Sequence, residues 1–318
     1  MLDRLALLVI GECVADIVRE PGAAERVHAG GSPANVAYGL ARLGRSTMLL
    51  TQLGQDANGR FIRDHLASAG VRVRTDGCGA PTPSAAVTLD DAGRASYTFE
   101  ITWSLAPVTP ERPPQHVHTG SIAAVVEPGA GTVLATVEAL RANATVSYDP
   151  NVRPELMGDH AEAVRRVERC VALSDVVKAS DEDLAWLYPG ETPERTAERW
   201  LRSGPAVVLV TRGAEGALAV LPGATVATVK VDAMPVRVVD TVGAGDAFMS
   251  GTLHSLAAHG LLGEGGRARL RSLDTRTLGD VLRHGAASAA VTVARAGALP
   301  PDEEELAAGL TRAPVPKA

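Results

Sequence analysis

Two hydrophobic periods alternate along this chain. Short runs of consecutive apolar residues predict buried strands at Leu5 to Ile10, Thr47 to Leu53, Thr145 to Tyr148 and Val207 to Val210. Between them, apolar residues recur three and four apart. That spacing predicts a helix over 32–43 with Val36, Leu40 and Leu43 facing inward. It also predicts helices near 58–69, stopped by Gly70, over 132–141 and 161–173, and from Asp181 onward. Val117-His118 and Asp175 to Lys178 are short strands. Strands alternating with helices imply a mostly parallel sheet covered on both faces. Residues 85–89 and 94–101 break this rhythm. They alternate around Asp90-Asp91-Ala92-Gly93, a hairpin turn. Gly11 to Val18 alternates loosely and predicts a strand bending out of the core. Segments 12–28 and 85–101 then form a small antiparallel flap over a site.

One stretch organises the rest: Val236 to Val239 reads as the end of a strand, Asp240-Thr241-Val242-Gly243-Ala244-Gly245 as a glycine turn, and Asp246 as the opening of a helix. Phe248, Thr252, Leu253 and Leu256 give that helix one apolar face. The free N–H groups of a helix's first turn bind anions, and the helix dipole adds to this. A carboxylate beside such a site suits phosphoryl transfer, accepting a hydroxyl proton while N–H groups hold phosphate oxygens. The plainer alternative is that Asp246 is a helix N-cap. A second stretch, Ala29 to Gly44, places Ser32 as N-cap, Pro33 at the first helical position and Gly44 just past the end. Its glycine pair, Gly30 and Gly31, allows a ligand to approach the backbone or the chain to hinge. Asn35 lies in the first turn, a mediocre helix former with an amide free for a polar task. Asp16 is either an exposed loop acid or a ligand.

Composition narrows the field. The 318 residues are 46% hydrophobic, 21% charged and 3% aromatic, with net charge −6. That charge and the scarcity of rings argue against a nucleic-acid partner. Leu5 to Ile10 is too short to span a membrane. Three cysteines without paired spacing or a leader predict reduced thiols in a cytoplasm. None of the three lysines, Lys178, Lys230 and Lys317, follows a glycine, so a Walker phosphate loop is absent. The glycine turn lacks the third glycine of a dinucleotide fingerprint. His116 and His118 share a strand face, with no third ligand nearby, and read as surface or core histidines rather than a metal site. Polar clusters follow the strands: Asp149/Asn151/Arg153, Ser180/Asp183, Thr211/Gly213 and Gly243/Asp246. In a parallel sheet such clusters line one edge, where ligands bind.

Gly30-Gly31-Ser32-Pro33-Ala34-Asn35 and Asp240 to Asp246, about two hundred residues apart, with Thr211-Arg212-Gly213-Ala214-Glu215-Gly216 between them, together resemble the ribokinase-like (PfkB-type) carbohydrate kinases. The resemblance covers essentially the whole chain. It implies a three-layer α/β/α fold with a mostly parallel central sheet and a small β-sheet lid, one domain over 1–312, and a flexible tail over 313–318. It implies ATP as co-substrate, Mg²⁺, and a sugar hydroxyl as acceptor. By position, Asp246 is the catalytic base, and the N–H groups from Val242 through Gly243, Ala244 and Gly245 to Asp246 form the anion hole. Asp16, Gly30, Gly31, Asn35 and Arg153 face the sugar. Ser180, Thr211, Gly213 and Gly216 face the nucleotide. Asp183 holds Mg²⁺ through water, and Asp240, Val242 and backbone near Arg295 to Gly297 correspond to a K⁺ site in many relatives. A homodimer through the lid is a further implication.

Two departures stand out. The family's Asn-x-x-Glu appears here as Ser180-Asp181-Glu182-Asp183, and small residues around Ala286 to Ser288 replace an Asn or His near the adenine. Gly11-Glu12, Gly30 to Ala37, His118 to Ser121 and Asp149 to Pro154 resemble fructokinases most. That implies D-fructose as acceptor and fructose 6-phosphate as product. The lid strand Tyr97 to Trp103 matches less well, and its three rings could instead cover a base. Ribose, 2-keto-3-deoxygluconate, a nucleoside or a sugar phosphate are the alternative acceptors. An inactive sugar-binding relative is the alternative of a different class.

Overall fold

The computed structural model describes residues 7–75, 79–89, 95–107, 110, 112–223 and 226–312. The expectations for Leu5 and Ala6, Cys78, the turn Asp90 to Gly93 and the tail 313–318 lie outside the described residues. In chain order the strands are β1 (Leu7–Ile10), β2 (Val14–Arg19), β3 (Arg26–Gly30), β4 (Thr47–Thr51), β5 (Arg72–Thr75), β6 (Ser84–Leu89), β7 (Ala95–Glu100), β8 (His116–Gly120), β9 (Thr145–Asp149), β10 (Val176–Ser180), β11 (Val207–Thr211), β12 (Ala217–Leu221) and β13 (Ala227–Val231). The helices are α1 (Ser32–Arg42), α2 (Ala57–Ser68), α3 (Gly129–Leu140), α4 (Pro154–Met157), α5 (His160–Leu173), α6 (Asp181–Leu187), α7 (Pro193–Ser203), α8 (Ala244–Ala258), α9 (Gly266–Arg271), α10 (Thr275–Val293) and α11 (Glu303–Leu310).

Nine strands form the main sheet in the order β13-β12-β11-β10-β9-β8-β1-β4-β5. Strands β4 to β11 of this sheet, with β1, run parallel; β12 runs against them and pairs antiparallel with both β11 and β13. One face packs its apolar side chains on α1, α2, α8 and α10, the other on α3, α5, α6 and α7. The buried strands are continuous apolar runs because both faces are covered. A second sheet, β3-β2-β6-β7, is built from residues in the two segments expected to form the flap. β2 pairs antiparallel with β3 but parallel with β6, so the flap is not a simple antiparallel unit.

Several local expectations change. Residues 232–240 form no strand, and Val236, Val238 and Val239 are exposed. The sheet has already ended at β13. The N–H groups of Val239 and Asp240 go instead to the carbonyl of Val293 at the end of α10. Asp246 is not an N-cap: Gly243, with φ 74, caps α8 and Asp246 is its third residue. Likewise Gly31, with φ 99, caps α1, and Ser32 lies inside the helix with its hydroxyl turned elsewhere. Helix α8 is buried on nearly every side from Asp246 to Leu256, rather than along one face, because α1 and α10 flank it.

His116 and His118 are core residues on β8. The Ser147 hydroxyl lies 2.7 Å from His116 Nε2 and 2.8 Å from His118 Nδ1. Burial pulls both imidazoles down to about 3. A group with a depressed folded-state pKa stabilises the fold fully above its unfolded pKa and loses that contribution as pH falls toward the folded value. The pair should therefore pull the urea midpoint down as pH falls from 7 to 5, against the opposite contribution of the burial-raised Glu12, Asp16 and Asp149. A His116→Gln/His118→Gln double variant, if folded, should lose less over the same interval. Equal losses in both proteins would contradict the buried neutral pair.

Candidate active site

The loops after β1, β8, β9, β10 and β11 emerge side by side at the carboxyl edge of the main sheet. With the second sheet and the start of α8 they enclose a cleft of about 1280 Å³. Gly243 adopts a left-handed conformation, and a side chain there would strike Ala298 Cβ at 2.5 Å. The turn therefore fits glycine alone. It delivers Asp246 into the cleft at 8% exposure. The carboxylate is gripped from the other end of the chain: Ser32 Oγ donates to Oδ1 at 2.6 Å and Asn35 Nδ2 to Oδ2 at 2.9 Å. Two donors on two oxygens fix the plane of the carboxylate and leave its remaining lone pairs to face the cleft.

Lys178, on β10, comes next to this acid. Its Nζ would lie 3.0 Å from a Cβ built on Gly245, so glycine at 245 makes room for the ammonium. Nζ bonds Asp149 Oδ2 at 2.8 Å, and both side chains are buried. Burial opposes both charges and pushes the Asp149 carboxyl up, with Lys178 offsetting part of that. For Lys178, burial is outweighed by Asp149, Asp183 and Asp246, which hold its ammonium above the ordinary lysine range. A cation so held keeps its partner a carboxylate.

The second sheet supplies one wall of the cleft. Asp16 projects into the cleft from β2, and burial pushes its carboxyl up to about 6. It is thus a cleft acid, not an exposed loop acid. A side chain at Gly30 would collide with that carboxylate. One at Gly31 would meet the Glu12 carbonyl at 2.5 Å. Phe99 of β7 lines the cleft, but Trp103 does not belong to the lid. It is 1% exposed and donates Nε1–H to the Ala123 carbonyl at 3.0 Å, packed against Gly129. Arg153 lines the opposite wall, its Nη1 donating to the Asn151 and Val152 carbonyls.

At the far end Ser180, Thr211, Gly213 and Gly216 line the cleft together with Met234 to Val236, Val238 and Ala286, Ala289, Ala290 and Val293. Asp183 and Ser180 form a reciprocal capping box on α6. Asp183 Oδ2 accepts the Ser180 N–H and Oδ1 the Val152 N–H, so both oxygens already bind backbone. Asp240 accepts N–H from Val242 and Gly297, which lowers its pKa and ties the glycine turn to the loop after α10. In the turn itself the Val242 N–H goes to Asp240 and the Ala244 N–H to the Thr241 carbonyl.

Three cleft residues escaped the sequence reading: Lys178, Glu12 and the Ser32 hydroxyl. Lys178 carried a signal, since a lysine inside an apolar strand demands a buried partner. The pairing is testable. Lys178→Met should destabilise the protein by about 3–5 kcal/mol in urea unfolding, because it strands a buried carboxylate. Adding Asp149→Asn should restore most of that. A cost under about 1 kcal/mol for Lys178→Met would contradict the buried pair.

Residues 5–305 match the pfkB family carbohydrate kinase. A fructokinase of Klebsiella pneumoniae is 38% identical over 264 residues, which is 80% of this chain and 85% of that one. The structure of a fructokinase from Xylella fastidiosa with bound ATP aligns with a TM-score of 0.83 at 27% identity, covering 97% of this chain and 98% of that one. A double-mutant fructokinase from Vibrio cholerae O395, with fructose, ADP and potassium ion bound, aligns with a TM-score of 0.80 at 27% identity, over 98% of this chain and all of that one. The fold, the glycine-led helix with its acid, and the extent of these matches agree: this chain belongs to the PfkB family of carbohydrate kinases.

Proposed function

We propose that this kinase transfers the γ-phosphoryl group of ATP to the primary hydroxyl of D-fructose, giving fructose 6-phosphate. The observation that carries the reading is the Asp246 carboxylate, held by Ser32 and Asn35 at the first turn of a glycine-led helix and facing the cleft. Asp246 accepts the hydroxyl proton as the new P–O bond forms. The N–H groups of Gly243, Gly245 and Asp246 face the transferring phosphoryl, with the α8 dipole behind them. Lys178 sits beside Gly245 and adds a fixed positive charge there. Ser32 and Asn35 orient the base, and Asn35 also borders the sugar.

Thr211, Gly213 and Gly216 contact the nucleotide phosphates and ribose, and the shelf of Ala286, Ala289 and Val293 takes the base. Bound Mg²⁺ supplies charge neutralisation on the phosphates. Asp183 fits that ion through water, because its two oxygens are engaged by backbone N–H groups. Asp240, with carbonyls of the 240–242 and 295–297 loops, offers the hard oxygen donors that K⁺ takes.

The choice of fructose rests on charge and ring count at the sugar end. Arg153 and Lys178 are the cations lining the cleft among the described residues, and Lys178 is committed to Asp149. One guanidinium is thin for a sugar phosphate, which favours a cluster. Trp103 lies in the core, so one of the three lid rings is withdrawn from any aromatic shelf for a nucleoside base. Asp16 and Asn35 suit a neutral polyol. The fructokinase relatives support the same choice.

At fixed Mg-ATP, kcat/KM should be highest for fructose among fructose, ribose, 2-keto-3-deoxygluconate, adenosine and fructose 6-phosphate. Any competitor tenfold better would overturn the acceptor. Asp246→Asn should fold normally and lower kcat by roughly 10²–10⁴-fold, the usual worth of a positioned base. Activity within threefold of the parent would sink that role.

A further inference from the structure

Glu12 lies at the joint between the two sheets. It sits between β1 of the main sheet and β2 of the second. Its backbone carbonyl presses on Gly31, where the chain returns from β3 to α1. Neighbouring Gly11 is equally confined, since a side chain there would strike the Pro33 ring. Two of the four crossings between the sheets, β1 to β2 and β3 to α1, thus pass this residue. Its side chain is 2% exposed but borders the cleft.

The carboxylate points away from the second sheet. Oε2 accepts the Ala123 N–H at 3.2 Å, and the Ser121 side chain is a further hydrogen-bond partner. Ser121 has φ 53 and Asn151 φ 35, the non-glycine residues with positive φ among those described. Left-handed backbone at such residues costs of order 1–3 kcal/mol and persists where the surroundings enforce it. The two are coupled: Asn151 Nδ2 donates to Ser121 Oγ at 3.4 Å, and Asn151 N to Asp149 Oδ1 at 3.2 Å. The Asn151 carbonyl in turn accepts from Arg153. One carboxylate therefore holds a strained turn that braces the loop bearing Arg153.

We propose that Glu12 is a positioning residue, whose ionised carboxylate clasps the Ser121–Ala123 turn to the joint between the sheets and so sets where Asn151 and Arg153 meet the sugar. The proposal rests on the sugar-kinase reading of the cleft. The ionised form accepts from both partners at once, whereas a protonated carboxyl has to turn its O–H toward one of them. Burial pushes the Glu12 carboxyl up to about 7, against pulls downward from its backbone and side-chain hydrogen bonds and from Arg153. The clasp should therefore loosen near neutral pH. Among the described residues, the ionisable groups near Glu12 are Arg153, Cys13 and, lining the same cleft, Asp16. Burial lifts the Cys13 thiol to about 12, clear of this range, but raises Asp16 to about 6, close to Glu12, so it is the Glu12 variants that assign the limb.

The test is the pH dependence of kcat/KM for fructose from pH 5.5 to 9, with Glu12→Gln, Glu12→Asp and Ser121→Gly beside the parent. The parent should show an acid limb near pH 7. In Glu12→Gln that limb should vanish, with KM for fructose raised about tenfold above pH 8, KM for ATP within twofold, and kcat reduced less than fructose KM is raised. Glu12→Asp should restore part of the limb. Ser121→Gly relaxes the backbone and should fold at least as well as the parent, yet raise KM for fructose. An unchanged acid limb in Glu12→Gln, or ATP and fructose KM rising together, would overturn the proposal. So would parent-like kinetics in Ser121→Gly, which also settles the matter if Glu12→Gln fails to fold. If the parent phosphorylates another sugar instead, the acceptor assignment falls first, and the same series is read on that sugar.

Discussion

A carboxylate held by two donors from the far end of the chain is the contact on which the site depends. Asp246 lies 214 residues from Ser32 and 211 from Asn35, yet both bond it. The contact locks the N-terminal turn of α1 to that of α8, so two helix starts face one volume. Each turn depends on a glycine that no bulkier residue could replace without collision, Gly31 against the Glu12 carbonyl and Gly243 against Ala298. The reacting end of the cleft is therefore assembled by tertiary packing. The chemistry follows from where two glycine-capped helices are made to meet.

Electrostatics then decides what the cleft accepts. Among the described residues six carboxylates line it, from Glu12, Asp16, Asp181, Glu182, Asp183 and Asp246, against the two cations Lys178 and Arg153. Such a cleft repels a bare polyphosphate. It accepts one whose charge is compensated by a divalent ion, and it favours a neutral acceptor over an anionic one. Lys178 is held charged inside this set by three acids rather than by solvent. Its neighbour Gly245 places that fixed charge at the helix start, where a phosphoryl group would carry its negative oxygens. Preorganised charge of this kind acts without reorganisation at the moment of reaction.

Much of this was legible in the chain. Continuous apolar runs such as Leu7–Ile10 and Val207–Thr211 marked strands covered on both faces, and glycines marked the turns that feed the cleft. What failed did so for tertiary reasons. Val236 to Val239 looks like a strand, but the N–H groups of Val239 and Asp240 go to the Val293 carbonyl at the end of α10 instead of to a strand. Ala217–Leu221 is equally apolar, and its antiparallel return with β13 gave no period by which to tell it from a buried helix. Ser32 had a good N-cap residue type, but the cap was taken by Gly31 and its hydroxyl spent on Asp246. Trp103 continued the pattern of the lid strand yet turned into the core, where Ala123 offered its indole N–H a partner. Glu12 was an ordinary letter until folding buried it, whereas Lys178 inside an apolar run had already called for a buried partner.

The most direct measurement is the structure of the protein with fructose and a non-hydrolysable ATP analogue bound with Mg²⁺. The primary hydroxyl of the sugar should lie within about 2.6–3.2 Å of an Asp246 oxygen, in line with the terminal phosphate. That phosphate should rest on the N–H groups of Gly243 and Gly245, beside Lys178. A sugar bound with no hydroxyl within reach of Asp246, or a terminal phosphate away from the start of α8, would contradict this arrangement.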